Sequence, residues 1–176
     1  MHMKIAFPLA AAILLAGCGS DNGPKTPDQA AKEAAKMERP QPGMYRSTVN
    51  VLEFDIPGLP PQEAEQMKQM MGRQKTQSHE FCLKAEDVEK GFEQMIKKSA
   101  DGNCTFERFN ASANTIDAKM TCDMGEAGQS VMSMTGTTSS TKSRMVMDID
   151  HENPSIPGGT MHTKMEVTNE RIGDCT

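Results

Sequence analysis

Tryptophan is missing from this 176-residue chain, tyrosine occurs once, at Tyr45, and aromatic residues make up only 4% of it. A chain so poor in aromatic faces has no stacking platform for bases, and a formal net charge of −5 leaves no basic patch for phosphates. Specific nucleic-acid binding is therefore excluded. Also lacking is an apolar run near the roughly 20 residues that a membrane-spanning helix needs. The four histidines, His2, His79, His151 and His162, sit in no GxSxG, HExxH or comparable context. The cysteines show no CxxC-type zinc or redox spacing. These absences point away from catalysis, and neither an enzyme nor a resident cofactor is expected.

What the N-terminus does carry is an export signal. Lys4 supplies a positive start, and Ala6 to Leu15 is an apolar stretch interrupted only by Pro8. It ends in Leu15-Ala16-Gly17-Cys18, which resembles the lipobox of bacterial lipoproteins. That resemblance implies diacylglycerol on Cys18 and cleavage before it, with each buried CH2 of the lipid contributing about 0.8 kcal/mol to anchoring. Gly19, rather than Asp, follows the anchor. In such lipoproteins this is compatible with sorting to the inner leaflet of the outer membrane, facing the periplasm. Residues 1–17 are thus expected to be a signal peptide, 18–41 a lipidated tether and 42–176 the folded domain. Removing residues 1–17 leaves 159 residues, enough for one domain with a real core.

With Cys18 assigned to lipid, four cysteines remain: Cys82, Cys104, Cys122 and Cys175. An even number in an oxidising compartment reads as two structural disulfides. The residues Asn110-Ala111-Ser112-Ala113-Asn114 form a turn signal between two strand-like runs. Folding about Ala113 sets Cys104 opposite Cys122, which leaves Cys82 to pair with Cys175.

Along the rest of the chain, the hydrophobic period separates helix from strand. Thr26 and Gln29 have capping-box spacing with Pro27 at the first helical position, so a short helix is expected within the tether. Its Ala- and Lys-rich run to Met37 shows no strong apolar stripe, and it is expected to space the domain from the membrane. Two short helices are expected inside the domain, Gln62 to Met71 and Ala85 to Lys98, the latter with Val88, Phe92, Met95 and Ile96 on one side. Seven strands are expected from alternating runs: 45–54, 76–83, 104–109, 115–122, 131–137, 144–150 and 161–171. The fold class is therefore α+β, mainly antiparallel β, as a curved meander or partly closed barrel of about seven strands.

Several of these segments resemble the domain of unknown function 3617 family of exported, mostly proteobacterial proteins. The likeness rests on Pro42-Gly43-Met44-Tyr45, Phe81-Cys82-Leu83, and Gly102-Asn103-Cys104 followed by Phe109, Ile116, Ala118, Met120 and Cys122. Met132-Ser133-Met134-Thr135-Gly136 and Arg171-Ile172-Gly173-Asp174-Cys175 complete it. It covers roughly residues 42 to 175, and two positions depart from the family pattern. Tyr45 stands where Trp is usual, and Lys84 where a helix-capping Thr is usual, which predicts a weaker cap for the second domain helix. The resemblance implies a periplasmic, disulfide-bonded, β-rich domain and no particular activity.

Sixteen methionines are the oddest positive feature. Met132, Met134, Met145, Met147, Met161 and Met165 alternate along three strands and are the candidate ligand or metal face. Three chemistries suit them. Met fills irregular cores and offers adaptable apolar surface, the sequence signature of a structural or protein-interaction module. A Met-lined cavity with Met67, Met70 and Met71 as a lid would carry an apolar ligand. Thioethers with His162 would bind Cu(I), provided at least three such side chains converge, although His162 is expected opposite Met161. Asp148, Asp150 and Glu152 alternate on one strand as a solvated face or weak cation site. The expected role is that of a periplasm-facing envelope lipoprotein with a membrane anchor on Cys18 and a protein or apolar partner.

Overall fold

The computed structural model describes residues 23–73, 76–89, 91, 96 and 103–175. The export signal and Cys18 lie outside the described residues. Among the described residues, no helix is long and apolar enough to cross a membrane.

Seven antiparallel strands form one open sheet: β1 (Gly43–Asp55), β2 (Thr76–Leu83), β3 (Cys104–Ala111), β4 (Thr115–Asp123), β5 (Gln129–Thr138), β6 (Lys142–Glu152) and β7 (Thr160–Gly173). Their order is β2-β1-β7-β6-β5-β4-β3. From β3 to β7 the chain meanders through short turns; β1 then joins the free side of β7, and β2 takes the far edge. The sheet does not close, because β2 and β3 remain its two edges. Of the two forms expected, the structure is the meander.

Both disulfides pair as expected. Cys104 and Cys122 are register partners on β3 and β4, with Cα atoms 4.0 Å apart. Cys82 and Cys175 are 5.5 Å apart and join the end of β2 to the segment after β7, across the start of β1. Gly43 at that crossing has φ +153°, and a Cβ there would lie 2.5 Å from Gly173 O and Arg171 Nε. The Pro-Gly opening of the domain is thus a steric requirement. Tyr45 is buried beside it, stacked on Phe81, and its hydroxyl donates toward the carbonyls of Gln41 (2.9 Å) and Ser140 (3.1 Å). Burial pushes its phenol up from the ordinary range. Like the usual Trp, Tyr45 combines a large ring with one donor, so the departure keeps both properties.

The tether helix is α1 (Pro27–Ala34), and its start is as the sequence reads: Thr26 and Gln29 exchange both capping-box bonds with Pro27 at N1. Its role is not that of a spacer. Ala30 (0% exposed), Ala34 and Met37 belong to the main core cluster with Ile96, Phe106, Phe109, Ile116 and Ala118. Just before it, Lys25 N–H donates to Phe106 O at 2.8 Å, extending the β3 edge by one bridge. Alanines at i and i+4 make a weak apolar stripe, yet their size lets the helix backbone approach the sheet closely. Packing against Phe106 and Phe109 supplies the apolar surface that the helix itself lacks.

Helix α2 (Pro61–Arg73) follows β1. The second expected domain helix is helical at residues 85–89, 91 and 96; its other positions lie outside the described residues. Lys84 provides no side-chain cap, as the departure from the family predicts. Instead, Asp87 Oδ2 accepts from Lys84 N–H at 3.2 Å, which keeps one half of a capping box.

Candidate functional site

The two faces of the sheet have opposite chemistry, and strand register shows how. Rows of paired residues cross the sheet at right angles to the strands. One row runs Ala118–Met134–Met147–Met165–Val51, and the next Met120–Met132–Ile149–Thr163–Phe54. A third runs Ile116–Gly136–Met145–Val167–Val49. These rows form one apolar face. Gly136 belongs to it because a Cβ there would meet Arg144 O at 2.6 Å and Met145 Cγ at 3.0 Å.

The β3 end of this face is built by a bulge. Register shifts between Phe106 and Arg108, so Glu107 and Arg108 both turn to the other face. Phe106 and Phe109, three residues apart, then share the apolar face and meet edge to face, ring centroids 5.6 Å apart. Beside them lies a cavity of about 270 Å³ lined by Ile96, Phe106, Phe109, Ala118, Met120, Met132, Met134 and Met147. Every described lining side chain is apolar. The volume is close to the lower end of small-molecule sites, roughly 300–1,000 Å³.

All six methionines expected to form a face do share one. Met132, Met134 and Met147 line the cavity. Met145 packs against the buried core, Met165 extends the Met134–Met147 row toward β1, and Met161 sits two rows away beside His151. The lid expected from Met67, Met70 and Met71 is not seen among the described side chains: neither Met67 nor Met70 lines the cavity, Met70 is 67% exposed, and the side chain of Met71 lies outside the described residues. An amphipathic Met pattern identifies a helix face but not what the helix covers. Sequence reasoning missed Phe106, Phe109, Ala118, Met120 and Ile96 as lining residues. The bulge that aligns the two phenylalanines leaves no alternation to read.

The opposite face is charged. Arg108 grips Asp117 through two bonds of 2.9 and 2.8 Å, which raise the guanidinium's affinity for its proton. Lys119 meets Glu107 at 2.7 Å, and Thr121 donates to the same carboxylate; these bonds, that to Lys119 first, hold it below the usual range. His162 does point away from Met161, into this face. Its Nδ1 lies 2.8 Å from Asp150 Oδ1 and 3.7 Å from Asp148, and its Nε2 3.7 Å from Glu53. The bond to Asp150 raises the imidazole pKa against the opposing effect of desolvation, with the charges of Asp148, Asp150 and Glu53 adding to it.

Asp148, Asp150 and His162 offer ligand atoms within 4.8 Å of one another, the donor set for a weak cation site. The expected carboxylate series is thus completed across the strand pair by histidine rather than along the strand by Glu152. Lys164 Nζ already lies 3.5 Å from Asp148 and 3.8 Å from Glu53. A resident ammonium supplies the counter-charge, so the cluster reads as an ion-pair ladder.

No curated protein and no solved structure matches this chain. One family model does, described as a protein of unknown function (DUF3617), over residues 40–175. That stretch begins just after α1 and includes all seven strands and both disulfides. It also takes in every described residue of the apolar cavity. The chain belongs to the DUF3617 family.

Proposed function

We propose that this protein is a lipid-anchored component of the bacterial envelope, facing the periplasm, that holds an apolar ligand on the methionine-lined face of its open sheet. Its role is binding rather than catalysis. The observation that carries this reading is the cavity of about 270 Å³ whose described lining is wholly apolar, beside a row of half-exposed methionines. A void of this kind releases poorly hydrated surface when filled, and flexible thioether side chains adapt to the occupant. The copper reading needs at least three thioethers drawn around one ion, whereas this cavity leaves room for a much larger guest. The half-exposed remainder of the face, Met165, Val167, Val49 and Val51, supports a second reading, docking of a periplasmic protein.

Native mass spectrometry on the protein purified from bacterial envelopes, without reductant or chelator, tests the proposal. A co-purifying organic mass that disappears in Ala118→Phe, which fills the cavity, supports ligand carriage. A copper mass would shift the assignment to metal binding. A chain with no adduct would overturn the carrier reading and favour a protein partner.

A further inference from the structure

We infer that the occupant of the cavity is a single acyl chain of a phospholipid, drawn from the same bilayer that holds the N-terminal anchor. This rests on the proposed function above, that Cys18 carries lipid and that the cavity takes an apolar guest. Three observations lead to the acyl chain. Among the described residues the lining offers no polar side chain, so the part of the ligand that enters finds no polar partner there. The cavity lies at one end of an apolar track of side chains: Ala118, Met134 and Met147 line it, and Met165 and Val51 continue the same row across five strands. Four inter-strand steps make that track about 19 Å long. A linear chain can follow such a row, whereas a compact ring system would use only its cavity end. The track is closed at the Phe109 and Ile96 end, where both side chains are 1% exposed, and half-exposed at Met165 and Val51. A chain therefore enters methyl-first toward Phe109 and leaves its headgroup outside.

The source of the chain follows from the anchor. Lys25 is bonded to Phe106, a wall of the cavity. Cys18 lies only seven residues before Lys25, a separation of at most about 25 Å even when fully extended. An anchor this short holds the cavity beside the membrane surface, where phospholipid is the most concentrated apolar ligand.

The absence of tryptophan provides a dark background for the test. A Met147→Trp reporter at the cavity and a Met124→Trp control on an exposed turn are made in the full lipidated protein. Both are reconstituted in phosphatidylethanolamine–phosphatidylglycerol vesicles containing phospholipid brominated in mid-chain, and separately titrated with brominated dodecanoate in detergent. The expected result is that both brominated species quench M147W several-fold more than M124W. Quenching by dodecanoate alone would leave the cavity a binding site but overturn the membrane source. Quenching by neither would overturn both that source and the carrier reading. A readout free of substitutions is the methyl NMR spectrum of the unmodified, 13C-methionine-labelled protein. Dodecanoate should shift Met120, Met132, Met134 and Met147 while Met70 and Met124 stay in place; an unchanged spectrum would overturn the acyl-chain assignment even if M147W misfolds.

Discussion

The apolar face of the sheet has two halves made from the same kind of residue but finished differently. Over β3 and β4, α1 and Ile96 cover it, and Phe106, Phe109, Ile116 and Ala118 are buried. Over β6, β7 and β1, Met147, Met165, Val167, Val49 and Val51 have the same alternation and remain half-exposed. The difference teaches that core and site are not distinguished here by composition. They are distinguished by whether a helix lies on top, and the cavity sits at the seam between the two. The covered half also uses smaller residues, Ala30, Ala34 and Ala118, because a helix must come close. The open half uses methionine, which tolerates an irregular or changing neighbour.

Each half has its own disulfide, and removing them gives the largest contrast. Cys104–Cys122 closes 18 residues within the covered half, while Cys82–Cys175 sits at the β2–β1 side, next to the open half, and closes 93 residues that include β3 to β7. In the chain-entropy model these are worth about 3 and about 4.5 kcal/mol. The double variant C82S/C175S should therefore lose more stability in urea unfolding than C104S/C122S. The opposite order would show that the covered half dominates stability through more than loop closure.

Truncations in the two halves should separate next. Phe109→Ala opens a hole under α1 and should cost about 3–5 kcal/mol, the range for large aromatic side chains in cores. Met165→Ala removes a half-exposed side chain and should cost about 1–2 kcal/mol, since only part of its surface leaves water on folding. Equal losses by denaturant titration would mean that something covers the open half after all.

The smallest effect lies behind the open half, on the charged face. His162 has a raised folded-state pKa, chiefly from its bond to Asp150. A raised cation pKa contributes stability that is complete below the ordinary value of about 6.5 and is lost as pH rises through the folded value. The Tm difference between wild type and His162→Gln should therefore be larger at pH 5.5 than at pH 8.5, both taken as approximate ends of the titration. A gap that widens with pH would show that His162 stabilises the fold in its neutral form. Partial exposure screens the pair, so the change should be modest.

Much of this architecture was legible in the residues. Strand positions followed from alternation because one face is apolar and the other charged, which makes the period-two signal strong. The Cys104–Cys122 pairing followed from a short turn centred between two runs of similar length. Other features depended on contacts no local pattern carries. The bulge at Glu107 changes which face Phe109 joins, so the aromatic pair that closes the cavity was hidden. The cluster of Asp148 and Asp150 with His162 needed the β6–β7 register, since His162 lies twelve and fourteen residues beyond the two carboxylates. The residues of α1 look like a spacer because alanine and lysine give little amphipathic contrast.

By itself, then, the sequence determined the strands, the cysteine pairs, the capped start of α1 and the single face shared by six methionines. Each of these depends on neighbours along the chain or on a short turn. Tertiary structure alone decided that α1 joins the core, that Met70 of α2 stays exposed away from the cavity, and that the methionine face is part core and part cavity. Those outcomes depend on which element comes to rest on a face already apolar. A face of uniform hydrophobicity holds no local record of what will cover it.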